Sequence, residues 1–328
     1  MTTAELRQTE YRDWGFSRRV LRALTRLVIR PYRRLPPPVA KVAVVVPLSS
    51  RPELLPDEEL SLRQLCHYLG KYDKFLLVPT GSPIQREGFT TVHFPPQFFG
   101  SLSGHCKLGY WPHYFKTFSD YEYVLIYHPD ALVFSDDLVR WCDAGWDYIG
   151  APWLPGPDSE WVKEPTVGNG GFALMKVDAC LEALHTRHRE DPLTVVLDVL
   201  MFHGHLCGPL FRFLEKLQRF FPRSRMVNWP LERWEHIQNP IGSEISADVF
   251  WGLYARRYLP RFKVATVEEA LRFAFEACPR QCFEMNNRQL PFGCHAWAKY
   301  DRAFWEPYLL PASSLNGPRA VPGDDTSR

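Results

Sequence analysis

Short apolar runs that alternate with helical patterns are the feature that most constrains how this chain folds. Residues 42–48 form a continuous run of apolar, mostly β-branched side chains, which is typical of a parallel strand buried on both faces. A helical pattern follows at residues 58–69, with Asp57 in the N-cap position and Gly70 just past its end. Because strand and helix patterns alternate in this way, we expect an α/β fold.

The same alternation continues through the next hundred residues. Strands are predicted at residues 74–78, 90–94, 121–127 and 146–151, and helices at residues 104–118 and 136–144. Pro112 interrupts the first of these helices and Gly145 ends the second. This βαβ rhythm predicts a mostly parallel, doubly wound sheet flanked by helices, with its functional site beyond the carboxyl ends of the strands.

Three segments depart from this rhythm. Residues 1–40 form a basic amino-terminal segment that ends in the stiff linker Pro36-Pro37-Pro38. Within it, arginines alternate with apolar residues over 18–34 at helical spacing. Such a helix could make peripheral contact with an anionic membrane, and the alternatives are a surface helix that covers the domain or a disordered basic arm. A helical insertion at about residues 190–245 divides the domain of residues 41–310, and the polar residues 311–328 predict a disordered tail.

Composition limits the remaining function classes. A net charge of +2 gives the chain no electrostatic footprint for nucleic acid. The eight cysteines are scattered without the spacing of a disulfide scaffold, so we expect them to be reduced and mostly buried. No apolar run has the features of a signal peptide or the length of a membrane span. These features predict a cytoplasmic protein, with the basic segment as its contact at the inner membrane face.

The sequence His128-Pro129-Asp130 follows directly after the strongest predicted strand. An imidazole and a carboxylate two positions apart on an extended segment can face the same site, and together they suit a divalent cation such as Mn²⁺ or Mg²⁺. The alternative is that Asp130 caps a turn and His128 is merely exposed.

Two further segments carry candidate functional residues. The glycines of Gly168-Asn169-Gly170-Gly171 allow backbone amides to approach a sugar or a diphosphate closely, although a tight turn explains them equally well. Ser246 is a predicted N-cap, and Asp248 is a carboxylate in the first turn of the helix that follows.

The carboxyl-terminal part adds a histidine. Thr266 and Glu269 form a capping box for a helix that is predicted to run to about residue 277, where Pro279 ends it. His295 lies beyond it in a loop bounded by glycine and proline. By itself, a histidine of this kind is more often a hydrogen-bonded structural residue than a metal ligand.

Taken in order, these motifs resemble a largely uncharacterised family that is catalogued as a domain of unknown function and whose members resemble GT-A glycosyltransferases. The resemblance extends from about residue 41 to residue 310 and is carried by the motifs YHPDALV (127–133), DYIGAPW (147–153), GNGGF (168–172), ADVFW (247–251) and LPFGCHAW (290–297). It implies a GT-A-like, Rossmann-like mixed sheet and a hexosyltransferase-like enzyme.

The resemblance also implies roles for individual residues. Asp130 matches the metal- and diphosphate-binding acid of the GT-A Asp-x-Asp element, His128 stands where its first acid would be, and His295 resembles a late histidine that completes the metal site. Gly170 and Gly171 fall where the donor sugar is held, and Asp248 falls where inverting members place the base.

For the nucleotide, the resemblance implies the first strand end from Pro47 to Arg51, and Lys107 from the preceding helix. A strict Asp-x-Asp is absent, which leaves the role of His128 open among metal, ribose and neither. Ala247 also stands where many GT-A enzymes have an acid beside the base.

The sequence therefore predicts a metal-dependent glycosyltransferase that transfers a sugar from a nucleotide-diphosphate donor to a carbohydrate, lipid-linked or protein acceptor, with inversion. Three alternatives stay open. They are a zinc-binding interaction module built on Cys278, Cys282, Cys294 and His295, a carbohydrate hydrolase that pairs Asp130 with Asp248, and a catalytically inactive protein that binds sugar or nucleotide.

Overall fold

A computed structural model describes residues 15–48, 51, 53–203, 208–239 and 246–310 of the chain. The predicted tail at 311–328 and the first fourteen residues of the amino-terminal segment lie outside the described residues.

The elements follow one another in the predicted alternating order. The helices are α1 (Gly15–Val28), α2 (Pro56–Leu69), α3 (Leu102–Leu108), α4 (Pro112–Thr117), α5 (Leu138–Asp143), α6 (Val177–Glu190), α7 (Leu193–His203), α8 (Gly208–Phe220), α9 (Arg225–Gln238), α10 (Ala247–Val249), α11 (Ala255–Tyr258), α12 (Val267–Phe273), α13 (Pro279–Met285) and α14 (Arg302–Trp305). The strands are β1 (Ala40–Pro47), β2 (Asp73–Pro79), β3 (Thr90–Phe94), β4 (Tyr121–Tyr127), β5 (Leu132–Val133), β6 (Tyr148–Gly150), β7 (Pro152–Trp153), β8 (Thr166–Val167), β9 (Phe172–Lys176), β10 (Ala274–Phe275) and β11 (Gly293–Cys294).

Within the described ranges, the central sheet has six strands in the order β3-β2-β1-β4-β9-β6. Strands β1 to β4 pair in parallel, and β9 runs antiparallel to both of its neighbours. The chain leaves β1 towards β2 on one side and returns to β4 on the other, so the strand order reverses at β1. This confirms the predicted α/β class with a mostly parallel mixed sheet, and it puts the reversal between the carboxyl ends of β1 and β4.

Helices cover both faces of this sheet. One face packs against α3, α4 and α6, and the other packs against α2 and α5. Parallel strands need burial on both faces, which explains why β1 is apolar at consecutive positions: Val42 to Val46 are all buried. The sheet is therefore the middle layer of a three-layer core.

One predicted N-cap is wrong, and one predicted helix is divided at the proline that the sequence marked as an interruption. Helix α2 begins at Pro56 with Leu55 as its N-cap, so Asp57 lies inside the first turn. The backbone amide of Leu55 instead donates to the Glu58 carboxylate at 2.7 Å. The single helix predicted at residues 104–118 is two helices, because Pro112 starts α4 as its first residue.

A third difference lies near the carboxyl end. Thr266 caps α12 as predicted, and its hydroxyl accepts a hydrogen bond from the Glu269 amide. The helix ends at Phe273 instead of about residue 277, and the next two residues form β10. Pro279 starts α13 and does not end α12. The chain therefore enters a small second sheet, in the order β10-β11-β5, where the sequence predicted helix.

The segment of the predicted insertion contains α7, α8 and α9. Within the described part of the chain, no single helix is long and apolar enough to cross a membrane. Helices α7 and α8 have the length and composition for a span only when they are taken together across a 120° bend.

Helix α10 continues into a π-helical segment, Phe250–Tyr254, that packs on the backbone of β8. A Cβ atom added to Gly252 would lie 2.2 Å from the Val167 carbonyl oxygen and 2.9 Å from the Cα of Gly168. The indole of Trp251 donates to the carbonyl of Gly109 at 3.1 Å, which ties the same segment to the end of α3. Close backbone contact thus fixes α10 against the glycine loop.

We expect Gly252→Ala to lower the free energy of unfolding by about 1–3 kcal/mol, because its methyl group would meet backbone atoms that cannot rotate away. Gly208→Ala is the matched control, since its nearest new contact is the flexible guanidinium of Arg212 at 3.6 Å. Its effect should be less than about 1 kcal/mol. Urea unfolding measures both values, and equal stability of the two variants would contradict the close contact.

Candidate metal and donor site

The carboxyl ends of β1 and β4 place Pro47 and His128 at the same edge of the sheet. Val45 pairs with Ile126, and the register carried two residues further brings these two residues to the same edge of the sheet. The amide of His128 donates to the carbonyl of Gly171 at 2.8 Å, so β4 and the start of β9 stay paired there. The amide of Ala131 donates to the carbonyl of His128 at 2.9 Å. This turn holds Asp130 at the same edge as His128.

The small second sheet brings distant residues to this turn. Phe275 pairs with Cys294 in parallel strands, so Glu276 and His295 leave β10 and β11 at the same edge. Cys294 also pairs with Leu132 of β5, and the amide of Trp297 donates to the carbonyl of Asp130 at 3.2 Å. Asp130, Glu276 and His295 meet because three two-residue strands pair side by side.

His128, Asp130 and His295 form a cluster with the dimensions of a metal site. The potential ligand atoms of all three lie within 4.8 Å of one another, and His295 Nε2 is 3.3 Å from Asp130 Oδ1. His128 Nε2 is buried and has no hydrogen-bond partner among the described residues. A buried nitrogen without a partner is unfavourable unless something binds it, so this cluster fits a cation.

The ligand types favour particular cations. Two imidazoles and one carboxylate suit Mn²⁺ or another transition metal better than Mg²⁺, which prefers ligand sets made of oxygen. Of the two cations that the sequence predicted, Mn²⁺ and Mg²⁺, these ligands therefore favour Mn²⁺.

Glu276 orients the imidazole of His295. Its carboxylate lies 2.8 Å from Nδ1 of His295, so that nitrogen donates its proton to Glu276 and Nε2 faces Asp130. The buried amide of Asn169 donates to the same carboxylate at 2.6 Å. Asn169 also lies 3.1 Å from Nδ1, but a nitrogen that donates to Glu276 cannot accept from Asn169. Asn169 therefore supports His295 through Glu276.

Charge within the cluster follows from these contacts. Burial disfavours a charged His295, but the carboxylates of Asp130 and Glu276 outweigh it and raise its pKa to about 10. Burial would raise the pKa of Asp130, but His295 holds it well below the ordinary value. Half of the Asp130 side chain is exposed, so solvent screens this ion pair. Burial lowers the pKa of His128, with His105 and His295 adding to the effect, and keeps that ring neutral.

Two adjacent glycines separate this cluster from Asp248. A Cβ atom on Gly171 would lie 2.1 Å from His295 Nε2, and one on Gly170 would lie 3.2 Å from the Cβ of Asp248. Only glycine fits at residue 171 without displacing the imidazole. The two glycines thus face the two candidate functional groups on either side of one loop.

Asp248 is a partly buried carboxylate at the start of α10. Its Oδ1 accepts hydrogen bonds from the hydroxyl of Ser246 and from the amide of Val249, the latter at 2.8 Å. Ser246 lies at the predicted N-cap, but its hydroxyl bonds to Asp248 and not to the helix backbone. Burial raises the pKa of Asp248 in spite of these hydrogen bonds. A carboxylate with a raised pKa is a stronger base.

Two predicted nucleotide contacts lie apart from this cluster. Arg51 forms an ion pair with Glu58 at 2.6 Å. Lys107 lies on the face of α3 that carries Ser103, whose hydroxyl donates to the carbonyl of Ile237 at 2.6 Å. The opposite face of α3 carries His105, whose ring packs edge-on against His128 at 4.4 Å between centroids. Pro47, by contrast, ends β1 at the same edge of the sheet where His128 follows β4.

Three residues of the site were missed in the sequence. Glu276 was assigned to a helix that in fact ends at Phe273, so nothing placed it at a strand end. His105 lay within a predicted helix, and no motif around it indicated a functional role. Asn169 stands inside the motif GNGGF, and its amide side chain between glycines was the one signal that the sequence offered.

The fold and the site together define an α/β protein with a candidate cation site at the carboxyl edge of a mostly parallel sheet. The chain belongs to the family described as protein of unknown function, DUF5672, whose sequence model matches residues 88–295. No curated protein matches the chain in sequence.

Several solved structures are similar to the chain at low TM-scores. The apo form of the glycosyltransferase GlyE from Streptococcus pneumoniae TIGR4 has 13% identity and a TM-score of 0.41 over 84% of this chain and 62% of that one. The galactosyltransferase LgtC with donor and acceptor sugar analogues has 13% identity and a TM-score of 0.42 over 85% and 97%. Core-mannan synthase A from Aspergillus fumigatus, in a Mn/GDP form, has 10% identity and a TM-score of 0.34 over 49% and 72%.

This chain spans 62% of the length of the pneumococcal protein. At such low TM-scores the likeness assigns no activity to it.

We expect Glu276→Gln to weaken Mn²⁺ binding by about 10–100-fold, because His295 loses the carboxylate that fixes its proton and its orientation. Glu284→Gln is the matched control, since that carboxylate lies on α13 in an exposed pair with Arg288. Titration calorimetry with Mn²⁺ measures both affinities. Wild-type affinity in Glu276→Gln would show that the carboxylate does not support the metal site.

Proposed function

We propose that this protein is a metal-dependent glycosyltransferase of the GT-A type that transfers a sugar from a nucleotide-diphosphate donor to an acceptor hydroxyl. The observation that carries the proposal is the loop at Gly170 and Gly171, which has the candidate cation cluster on one side and the partly buried carboxylate of Asp248 on the other. An inverting transfer of a sugar from a diphosphate can use both groups: the cation stabilises the leaving group, and the carboxylate accepts the proton of the incoming hydroxyl.

The donor diphosphate lies on the side of Asp130, His128 and His295 in this proposal. These three residues would hold the cation, and Glu276 keeps Nε2 of His295 directed towards it. A bound Mn²⁺ supplies Lewis-acid stabilisation of the negative charge that develops on the leaving diphosphate. His128 takes the place of the first acid of an Asp-x-Asp element and contributes a neutral ligand.

Pro47 supports the placement of the nucleoside. It ends β1 at the edge of the sheet that carries His128, where the strand order reverses, and ligands of open α/β sheets bind in the crevice there. Arg51 and Lys107 stay predictions without a contact that favours them, because Arg51 pairs with Glu58 and Lys107 lies on the other face of α3 from His105.

The acceptor hydroxyl lies on the side of Asp248. This carboxylate accepts the proton of the hydroxyl as the hydroxyl attacks the sugar carbon, and its raised pKa suits that role. Because Asp248 and the cation cluster contact opposite sides of the glycine loop, attack from the face opposite the diphosphate is favoured. We therefore propose inversion of configuration.

The zinc-module alternative finds no support among the described residues. Cys282 donates to the carbonyl of Ala277, Cys278 lies beside Ser159, and Cys294 is buried in the pairing of β11. Among these candidates, His295 alone belongs to a group of potential metal ligands, together with His128 and Asp130.

Wild-type protein should bind one nucleotide-diphosphate sugar from a panel in titration calorimetry, and this binding should need Mn²⁺. Asp130→Ala should lose the metal-dependent binding, because it removes the negatively charged ligand of the cluster. The matched control is Asp137→Ala, which removes an exposed carboxylate on the same segment. If folded wild-type protein with Mn²⁺ binds none of the donors, the transferase proposal fails.

Asp248→Asn should bind the same donor as tightly as wild type and turn it over about 10²–10⁴-fold more slowly, because the amide keeps the hydrogen bonds from Ser246 and Val249 but cannot accept a proton. Hydrolysis of the bound donor, with water as the acceptor, gives the rate without knowledge of the natural acceptor. Unchanged hydrolysis would exclude Asp248 as the base. No hydrolysis in the wild type would favour the inactive sugar- or nucleotide-binding alternative.

A further inference from the structure

Helix α1 turns its polar side towards the protein. The hydroxyl of Thr25 donates to the carbonyl of Arg189 at 3.0 Å, and the guanidinium of Arg22 donates to the carbonyl of Glu190 at 2.7 Å. Arg26 forms an ion pair with the carboxylate of Glu190. All of these partners lie at the end of α6, so the polar residues of α1 make its contacts with the domain.

The apolar side of α1 consequently faces away from the protein. Val20, Leu21, Leu24, Leu27 and Val28 have exposed fractions between 39% for Leu21 and 81% for Val28. Their spacing places them on one stripe of the helix. An amphipathic surface helix normally buries such a stripe against the core, so α1 is inverted relative to the usual arrangement.

The connection after α1 holds this orientation in place. The hydroxyl of Tyr32 and the amide of Leu35 both donate to the carboxylate of Asp178, each at 2.9 Å. The guanidinium of Arg189 donates to the carbonyl of Ile29 at 3.2 Å. Because both α1 and the residues after it are bonded to α6, the apolar stripe is displayed on a fixed support.

The charges around the apolar stripe indicate which kind of surface it would bind. Helix α1 contains arginines and no acidic residue. Arg19 of the helix is exposed, and so are three arginines in the segment that follows it, Arg30, Arg33 and Arg34. A second copy of this chain would bring these arginines against one another, which is unfavourable. An anionic lipid surface offers acyl chains to the stripe and headgroup phosphates to the arginines.

We propose that α1 docks the protein on anionic membranes, with the apolar stripe in the bilayer interface and the arginines at the phosphates. The polar contacts with α6 keep the domain on the aqueous side. This docking does not depend on the transferase activity, because none of its residues belongs to the cation cluster or adjoins Asp248.

Helix α8 provides a matched comparison. It also exposes apolar side chains, at Leu210, Phe213 and Phe220. Unlike α1, it buries an apolar residue against the protein, because the ring of Phe211 stacks on Trp234 with 4.3 Å between centroids. It also carries the acidic residue Glu215.

The test is co-sedimentation of the full-length protein with vesicles of phosphatidylcholine, alone or mixed with phosphatidylglycerol. Wild type should bind the mixed vesicles and not the neutral ones, and binding should weaken as salt rises. The triple variant Leu24→Ser, Leu27→Ser, Val28→Ser should lose at least about tenfold in affinity, equivalent to about 1.4 kcal/mol. The control variant Leu210→Ser, Phe213→Ser, Phe220→Ser should bind like wild type.

Several outcomes would overturn the proposal. They are no vesicle binding by the wild type, full binding by the α1 variant, and equal loss in both variants. A concentration-dependent dimer in sedimentation velocity that only the α1 variant lacks, without vesicle binding, would assign the stripe to a second copy. Circular dichroism shows whether each variant is folded, and unchanged donor binding by the α1 variant would separate docking from the proposed activity.

Discussion

The backbone of residues 169–171 passes between two functional groups through a space that accommodates no side chain at residue 171. His295 closes one side of this space and Asp248 lies against the other, so the loop fixes the separation of the cation cluster from the carboxylate. Asn169 stabilises the loop, since its side-chain oxygen accepts hydrogen bonds from the backbone amides of Gly171 and Phe172 at 3.0 and 3.3 Å. Its amide group reaches Glu276, so the same residue sets the loop and supports the histidine.

The small sheet that brings His295 to this loop is held by tertiary packing more than by its own ladder. Each of its strands has two residues, whereas the neighbouring Trp297 and Trp305 are fully buried. Ala296, directly after His295, has a φ of 50°, a left-handed conformation that costs a non-glycine residue about 1–2 kcal/mol. Such strain persists only where the surroundings determine the backbone, and here it occurs next to the proposed ligand.

The candidate site residues that the sequence could group together are close neighbours in the chain. His128 and Asp130 could be assigned to one site because they follow a strong strand. The glycines could be assigned to one loop because they lie next to one another in the sequence. Glu276 could not be assigned, since a two-residue strand leaves no periodic pattern and the mostly apolar residues 273–277 fit a helix equally well. Lys107 stays a prediction that the family resemblance implied, and no local pattern indicated that His105 of the same helix packs against His128.

The sequence by itself determined the α/β class, the strand ends at which polar residues gather and the amphipathic pattern of α1, because all of these are encoded in local periodicity. Only the tertiary structure decided that Asp130, Glu276 and His295 meet, since their contact depends on the pairing of β11 with both β10 and the distant strand β5. It also decided which side of α1 faces the domain. The helical period is the same for either orientation, and the bonds from Arg22, Thr25 and Arg26 to the end of α6 select one.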